Sequence, residues 1–228
     1  MSETITLTDG IRVALRRSAR ARRMTLRVPR TGGDAVLTLP RHVPLAEGRA
    51  FAEANGEWLR RATARQAVPV RVGQGTVIPV EGCDLRVTLA PVRSAVIRDE
   101  ALLVPQNRAA GPVVQAYLKH LAHERLRRAC DCHARALGRP YKAITLRDTR
   151  SRWGSCSSDA RLMFSWRLAM APPEVLDYVA AHEVAHLAHM DHSPRFWAQV
   201  RALMPGYAPR RAWLRDHGSR LHGWKFRD

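Results

Sequence analysis

The hydrophobic pattern of the first hundred residues predicts β-strands. Polar and apolar residues alternate, or Val, Leu and Thr dominate, over residues 12–17, 23–28 and 35–39. Alternation with a period of two places successive side chains on opposite faces of a sheet, which is typical of half-buried strands. Segments of similar composition return between residues 76 and 104. Between the two groups, residues 45–66 space their apolar side chains as a helix does.

The pattern changes to a helical one after residue 110. A long helix is predicted from about residue 111 to residue 137, and Gly138 ends it in the manner of a C-terminal cap. Residues 144–170 predict a strand, an irregular segment and a hairpin. A further helix begins after Ala171 and is predicted to continue to about Met190. Two more helices are predicted over residues 193–204 and 208–220.

The order of these elements predicts the fold class. Strands dominate first and helices dominate later, which indicates an α+β protein. We predict a β-rich N-terminal region with one helix over residues 1–109 and a second region over residues 110–228. The two regions could form one continuous unit, because the sequence shows neither an internal repeat nor a low-complexity linker between them.

The charge of the chain is unusual. Lys and Arg total 38 against 20 acidic residues, which gives a formal net charge of +18. Such an excess favours encounters with polyanions, so nucleic acid or an acidic protein is a predicted partner. The alternative is a solvated basic hairpin, since no known nucleic-acid-binding motif accompanies the charge. A stretch without any acid holds the densest group of arginines, at positions 16, 17, 20, 22, 23, 27 and 30.

Composition also bears on the compartment. The first residues have neither the cationic nor the apolar region of a signal peptide, and no run approaches 18 apolar residues. The four cysteines are too few and too scattered for a disulfide framework. We therefore predict a cytoplasmic protein with no membrane partner, while the oligomeric state is left open.

The pattern H-E-x-x-H at residues 182–186 predicts a metal site. His182 and His186 are four residues apart, so a helix places them on one face, one turn apart. Two imidazoles in that arrangement can bind the same zinc ion (Zn2+). Glu183 then lies beside the metal, where it can act on a water molecule.

A third ligand is needed, because catalytic zinc usually has three protein ligands and one water. We favour His192, which a turn of the chain can bring to the metal from another direction. His189 is the alternative if the helix continues past it. A structural zinc would need a fourth protein ligand, for which Cys156 or His189 is a candidate, and it would leave Glu183 without a role.

Three motifs resemble one family of enzymes. They are RSRWGSC at residues 150–156, PEVLDYVAAHE at residues 173–183 and HSPRFW at residues 192–197. Together they are similar to the YgjP-like zinc metallopeptidases, which are related to SprT-like and WLM-type zincins. The resemblance covers most of the chain, including the β-rich N-terminal part. It implies a zincin-like metallopeptidase domain over residues 110–228, with the HExxH helix packed on a small sheet.

The resemblance also implies roles for single residues. His182, His186 and His192 would bind zinc, and Glu183 would be the general base that activates a metal-bound water against a peptide bond. The substrate would be a peptide or a protein. The two alternative functions are a basic nucleic-acid-binding protein with a structural zinc and a SprT-like protease acting on DNA-bound proteins.

Several neighbouring residues have less defined roles. The hairpin at residues 150–166 could hold a peptide as an added strand, flanked by Arg150, Arg152 and Trp153. Tyr207 and Arg152 are candidates for stabilising an oxyanion by residue type alone.

Two residues depart from the expected patterns, and neither departure removes a ligand. Ser165 stands before Trp166, where the family pattern has Asn, so a local hydrogen bond should differ. His189 stands where metzincins carry Gly.

Overall fold

Two compact units make up the chain, Met1–Pro69 and Val70–Asp228. The structure is a computed structural model that describes residues 3–29, 32–64 and 69–227. Those residues form six α-helices and four sheets, which confirms the predicted α+β class. The predicted boundary between residues 109 and 110 falls inside the second unit. It stays a prediction about domain organisation.

The first unit is a four-stranded sheet covered by helices on one face. Its strand order is β1-β2-β4-β3, with β2 and β4 parallel and the outer pairs antiparallel. Alternate side chains such as Val13, Leu15 and Leu37 point into a core of their own. The strands are β1 (Thr4–Thr6), β2 (Arg12–Ser18), β3 (Thr25–Arg27) and β4 (Ala35–Pro40).

The single helix predicted over residues 45–66 is wrong, because two helices occupy this segment. They are α1 (Leu45–Ala54) and α2 (Gly56–Ala64). Asn55 interrupts them: its side-chain amide donates to the Phe51 carbonyl at 2.8 Å, which satisfies the end of α1. Asn competes for backbone hydrogen bonds in this way and so favours helix ends over helix interiors. The last two residues of the predicted helix lie outside the described residues.

The second unit begins with a sheet that repeats the plan of the first. Its order is β6-β7-β9-β8, again with a parallel central pair. The strands after β5 (Val70–Arg71) are β6 (Val77–Val80), β7 (Cys83–Ala90), β8 (Val96–Arg98) and β9 (Ala101–Pro105). The sheet shares one core with α3 (Ala110–Leu137). Gly138 ends α3 in the left-handed conformation, which confirms this predicted cap.

A third, smaller sheet packs against the HExxH helix. It has the order β10-β12-β11, so β11 is an edge strand. Its strands are β10 (Ala143–Arg147), β11 (Gly154–Cys156) and β12 (Arg161–Ser165). Strands β11 and β12 form the predicted hairpin. A 3-10 turn over Trp166–Met170 then leads into α4 (Pro173–Ala185), which contacts both β11 and α3.

Helix α4 ends at Ala185, so the predicted continuation to Met190 is wrong. Residues 186–188 form a turn instead, and Nδ1 of His186 hydrogen-bonds the main-chain carbonyl of His189 at 2.9 Å. The His186 side chain thus satisfies the His189 carbonyl, which a continuing helix would have paired with a main-chain N–H. The two following helices are α5 (Pro194–Leu203) and α6 (Tyr207–His217), which confirms both predictions.

A buried arginine ties the small sheet to the C-terminal segment. Arg167 is 8% exposed and bonds the Asp148 carboxylate through two nitrogens, at 2.6 and 3.1 Å. It also donates to the carbonyls of Leu221 and Trp224 at 2.9 and 3.2 Å. A buried guanidinium is tolerated only when it is paired and hydrogen-bonded as this one is. Strand β13 (Trp224–Lys225) continues from this point and pairs in parallel with β5.

The longest helix, α3, has 28 residues and carries many charged side chains. Within residues 3–29, 32–64 and 69–227, no helix is both long and apolar enough to cross a bilayer. The cytoplasmic location stays a prediction.

Candidate active site

Three histidines converge at the C-terminal end of α4. His182 and His186 come from the helix, and the turn after it returns the chain so that His192 approaches from the other side. One ligand nitrogen from each of the three lies within 4.8 Å of the others. Nε2 of His182 and Nε2 of His192 are 3.2 Å apart. The structure therefore brings together the three residues that the sequence singled out as metal ligands.

The donor set fits a zinc ion. Tetrahedral zinc with Zn–N bonds of about 2.0–2.1 Å separates its ligand nitrogens by about 3.3–3.4 Å, close to the 3.2 Å between His182 and His192. Because Nδ1 of His186 donates to a carbonyl, its Nε2 is left with a free lone pair. Burial lowers the pKa of His182 to about 3, helped by the two other histidines, and also lowers that of His186. Neutral imidazoles are the form that binds metal.

The two other candidate ligands lie outside this group. His189 contributes its main-chain carbonyl to His186, while its imidazole is not among the clustered ligand atoms. Cys156 lines the same cleft as the histidines. Burial, with a smaller effect of the Glu183 charge, raises the pKa of its thiol to about 11. A thiol that stays protonated is a poor ligand, since the thiolate is the form that binds metal.

The aromatic ring of Phe196 packs against all three histidines. The ring of Phe196 lies 4.3 Å from that of His186, 4.9 Å from that of His182 and 4.8 Å from that of His192, between centroids. Phe196 is fully buried, and its backbone N–H donates to the Ser193 hydroxyl that caps α5. This supporting role was missed in the sequence. Its signal was the N-cap, which fixes where the first turn of α5 places its side chains.

Glu183 lies against the edge strand of the small sheet. It is 5% exposed, and burial raises the pKa of its carboxyl to about 8, against the opposing effect of Arg152. A Cβ added to Gly154 would lie 2.5 Å from Oε1 and 2.6 Å from Cγ of Glu183. Only glycine leaves room for the carboxylate there, a requirement that the sequence analysis missed. The signal was the glycine inside the RSRWGSC motif.

An open cleft of about 420 Å³ runs between α4 and β11 and exposes this site. Among the described residues, Arg152 and Trp153 line the cleft, whereas Arg150 and Tyr207 do not. Trp153 also stacks on His222, with 4.8 Å between ring centroids, so this residue has a packing role in addition to lining the cleft. Tyr207 stacks instead on Trp197, which packs beside His182 and His192. Of the two oxyanion candidates, only Arg152 therefore reaches the cleft.

The departure at Ser165 has a local consequence. Ser165 is fully buried, and its hydroxyl has no hydrogen-bond partner among the described residues. Its backbone N–H donates to the Trp153 carbonyl at 2.8 Å, so the end of β12 is hydrogen-bonded to the segment that lines the cleft. A longer Asn side chain could make a hydrogen bond at this position, whereas the Ser165 side chain makes none with the described residues.

Neither the curated proteins nor the solved structures gave a match to this chain. The sequence model of the YgjP-like metallopeptidase domain matches residues 22–217. That match includes the HExxH helix, the loop with His192 and the strand with Gly154. Because it covers most of the 228 residues, the chain belongs to the YgjP-like metallopeptidase family.

Proposed function

We propose that this protein is a zinc-dependent peptidase in which His182, His186 and His192 hold the metal and Glu183 is the general base. One observation carries the proposal: three imidazole nitrogens within 4.8 Å of one another adjoin a buried carboxylate on an open cleft. Catalytic zinc sites use three protein ligands and keep a position open, whereas structural sites are closed by four. The three-histidine group supports the catalytic kind over a structural zinc.

The chain's own residues would divide the work of peptide hydrolysis. When bound, zinc supplies a Lewis acid that acidifies water and polarises a carbonyl. Glu183 takes a proton from water and delivers it to the leaving amine. Gly154 lets that carboxylate lie beside the histidines. Edge strand β11 offers unpaired main-chain groups that can bind an extended peptide or protein segment as an added strand.

The first experiment replaces the general base alone. Glu183→Gln keeps size and shape, so we expect the zinc content to stay at the wild-type level by mass spectrometry. Cleavage of an unfolded test protein should fall at least about 100-fold, because general-base catalysis contributes that much. Glu174→Gln is the matched control: the same change on the same helix, at an exposed position in its first turn. Wild-type cleavage by Glu183→Gln would disprove the catalytic assignment.

A second experiment tests the choice of the third ligand. His192→Ala should lose zinc and activity together, because two imidazoles hold zinc much more weakly than three. His189→Ala should keep both, since the interaction of His189 with His186 is through its main chain. Loss of zinc from His189→Ala with retention in His192→Ala would exchange the two assignments.

A further inference from the structure

The sheet of the first unit has one face that its own helices do not cover. Strand alternation places one set of side chains in the core and the other set on this outer face. The pairing aligns the outer set in rows across the strands: Thr4–Ala14–Val36–Arg27 in one row and Arg16–Thr38–Thr25 in the next. We call this surface the arginine face.

Positive charge on the arginine face is largely uncompensated. Arg16 and Arg27 are exposed, and neither forms an ion pair with any residue that the structure describes. The same holds for three arginines on the loop between β2 and β3. The acid on this face is Asp34, which pairs with Arg12 at 3.4 Å. The loop arginines are Arg20, Arg22 and Arg23, all exposed.

Two members of the arginine group named from the sequence do not contribute. Arg17 points away from the face and donates to the carbonyls of Arg41 and Val43, at 3.3 and 3.0 Å. The arginine at position 30 lies outside the described residues. The face and the loop beside it together offer five guanidinium groups without an ion pair among the described residues, two on strands and three on the loop.

The other side chains on the face decide which polyanion it fits. They are threonines, one serine, one alanine, one valine and one proline, with no aromatic ring or methionine among the described residues. Protein partners are held by buried anchors such as Trp, Tyr and Met, which this face does not provide. Single-stranded nucleic acid is held by base stacking on aromatic rings, which are also missing. Phosphates of a duplex need only arginines and hydroxyl groups.

We propose that the arginine face of the first unit binds the phosphate backbone of a duplex nucleic acid, without reading its sequence. Arg16 and Arg27 are two strands and two residues apart, about 12 Å between Cα atoms, so they would reach separate phosphates. The three loop arginines lie at the end of the sheet where β2 ends and β3 begins, and they would lengthen the contact in that direction. Threonine hydroxyls between them can donate to the same backbone. This binding does not depend on the proposed peptidase activity, because none of these residues belongs to the metal site.

The experiment measures binding of the full chain to labelled 20-base-pair DNA and RNA duplexes by fluorescence anisotropy between 50 and 200 mM KCl. Five phosphate contacts predict a log–log salt slope of about −4.5, or a roughly 500-fold loss over this range. Arg16→Gln/Arg27→Gln should reduce the slope by about 2 and weaken binding at least tenfold at 50 mM KCl. Binding of either duplex supports the proposal, and the ratio identifies the source of the phosphates.

A matched control removes the same charge elsewhere. Arg93→Gln/Arg98→Gln alters two exposed arginines of the second unit, where Arg98 holds the place in β8 that Arg27 holds in β3. This variant should bind duplexes within threefold of the wild type, and chelation of metal should leave binding unchanged. Equal weakening by both variants would overturn the proposal in favour of bulk charge. Tighter binding of single strands, or equally tight binding of polyglutamate, would also overturn it.

Discussion

Two sheets in this molecule share one strand order and one set of strand directions but have different surroundings. In both, an antiparallel pair is joined in parallel to a second antiparallel pair. Both outer faces carry arginine and threonine, but the outer face of the second sheet also includes the larger apolar group of Val77, Val96 and Leu103. A common backbone plan thus carries two different sets of side chains, and function depends on those side chains more than on the plan.

The second sheet also differs from the first because one of its turns contacts the segment that leads into α4. Its first hairpin turns at Glu81 and Gly82, both with positive φ, as a type I′ turn requires. From this turn the Glu81 N–H donates to the Ala169 carbonyl at 2.8 Å, and the Glu81 carboxylate bonds Arg125 of α3 at 2.6 and 3.2 Å. Ala169 belongs to the 3-10 turn that leads into α4. The second sheet therefore holds the beginning of the helix that bears the histidines.

The largest difference between the two units should come from one pair of glycine substitutions. In the second unit, Gly154→Ala forces the Glu183 carboxylate away, because the new Cβ would lie 2.5 Å from Oε1. We expect cleavage to fall about 100-fold, as for loss of a general base, with zinc content unchanged. In the first unit, Gly48→Ala brings a Cβ to 2.8 Å from Leu39 Cδ2 and disturbs only a core.

The comparison requires both variants to be assayed for cleavage, zinc content and thermal unfolding. Gly48→Ala should lose about 1–3 kcal/mol of unfolding free energy through overpacking and keep its specific activity. Wild-type cleavage by Gly154→Ala would show that Glu183 does not need its observed position.

Core truncation should separate the units by stability, with an effect of intermediate size. Leu37 in β4 and Leu102 in β9 are both fully buried on equivalent central strands. Each change to Ala should cost about 2–5 kcal/mol of unfolding free energy. Only Leu102→Ala should lose activity along with stability on heating, because its core includes the site helix. The check is residual activity against unfolding monitored by circular dichroism; equal inactivation by Leu37→Ala would contradict it.

The smallest effect is expected at the residue that departs from the family pattern. Ser165→Ala removes a buried hydroxyl without a partner among the described residues, so unfolding free energy should change by less than about 1 kcal/mol. Ser157→Ala, in the same hairpin, removes a hydroxyl that accepts from the Arg161 N–H at 3.1 Å. Chemical denaturation should show the larger loss for Ser157→Ala. The reverse order would mean that Ser165 has a hydrogen bond after all.

Local patterns predicted most of the secondary structure. The strand-like pattern predicted the strands of both sheets apart from the short β1, and Gly138 marked the end of α3 correctly. The errors occurred where a polar side chain competes with the backbone: the Asn55 amide ends α1, and the His186 ring bonds the carbonyl of His189. The spacing of hydrophobic residues does not report these side-chain hydrogen bonds, so it could not predict where the helices end.

The convergence of the three histidines was predictable from the sequence, but the packing around them was not. Helical spacing and a turn were enough to bring three histidines to one place. The fit of Glu183 against Gly154, the packing of Phe196 and the burial of Arg167 depend on contacts between elements far apart in sequence. The repeated strand order was also invisible, because it is a repeat of topology and not of residues.

The parallel pairing of β5 with β13 has a consequence for how this fold can be used. Val70 and Trp224 are direct neighbours, and the Val70 N–H donates to the Gly223 carbonyl at 2.8 Å. The point where the chain enters the second unit is therefore adjacent to its last strand. A unit with adjacent ends can be spliced into a surface loop of an unrelated host, or circularly permuted, without stretching either junction.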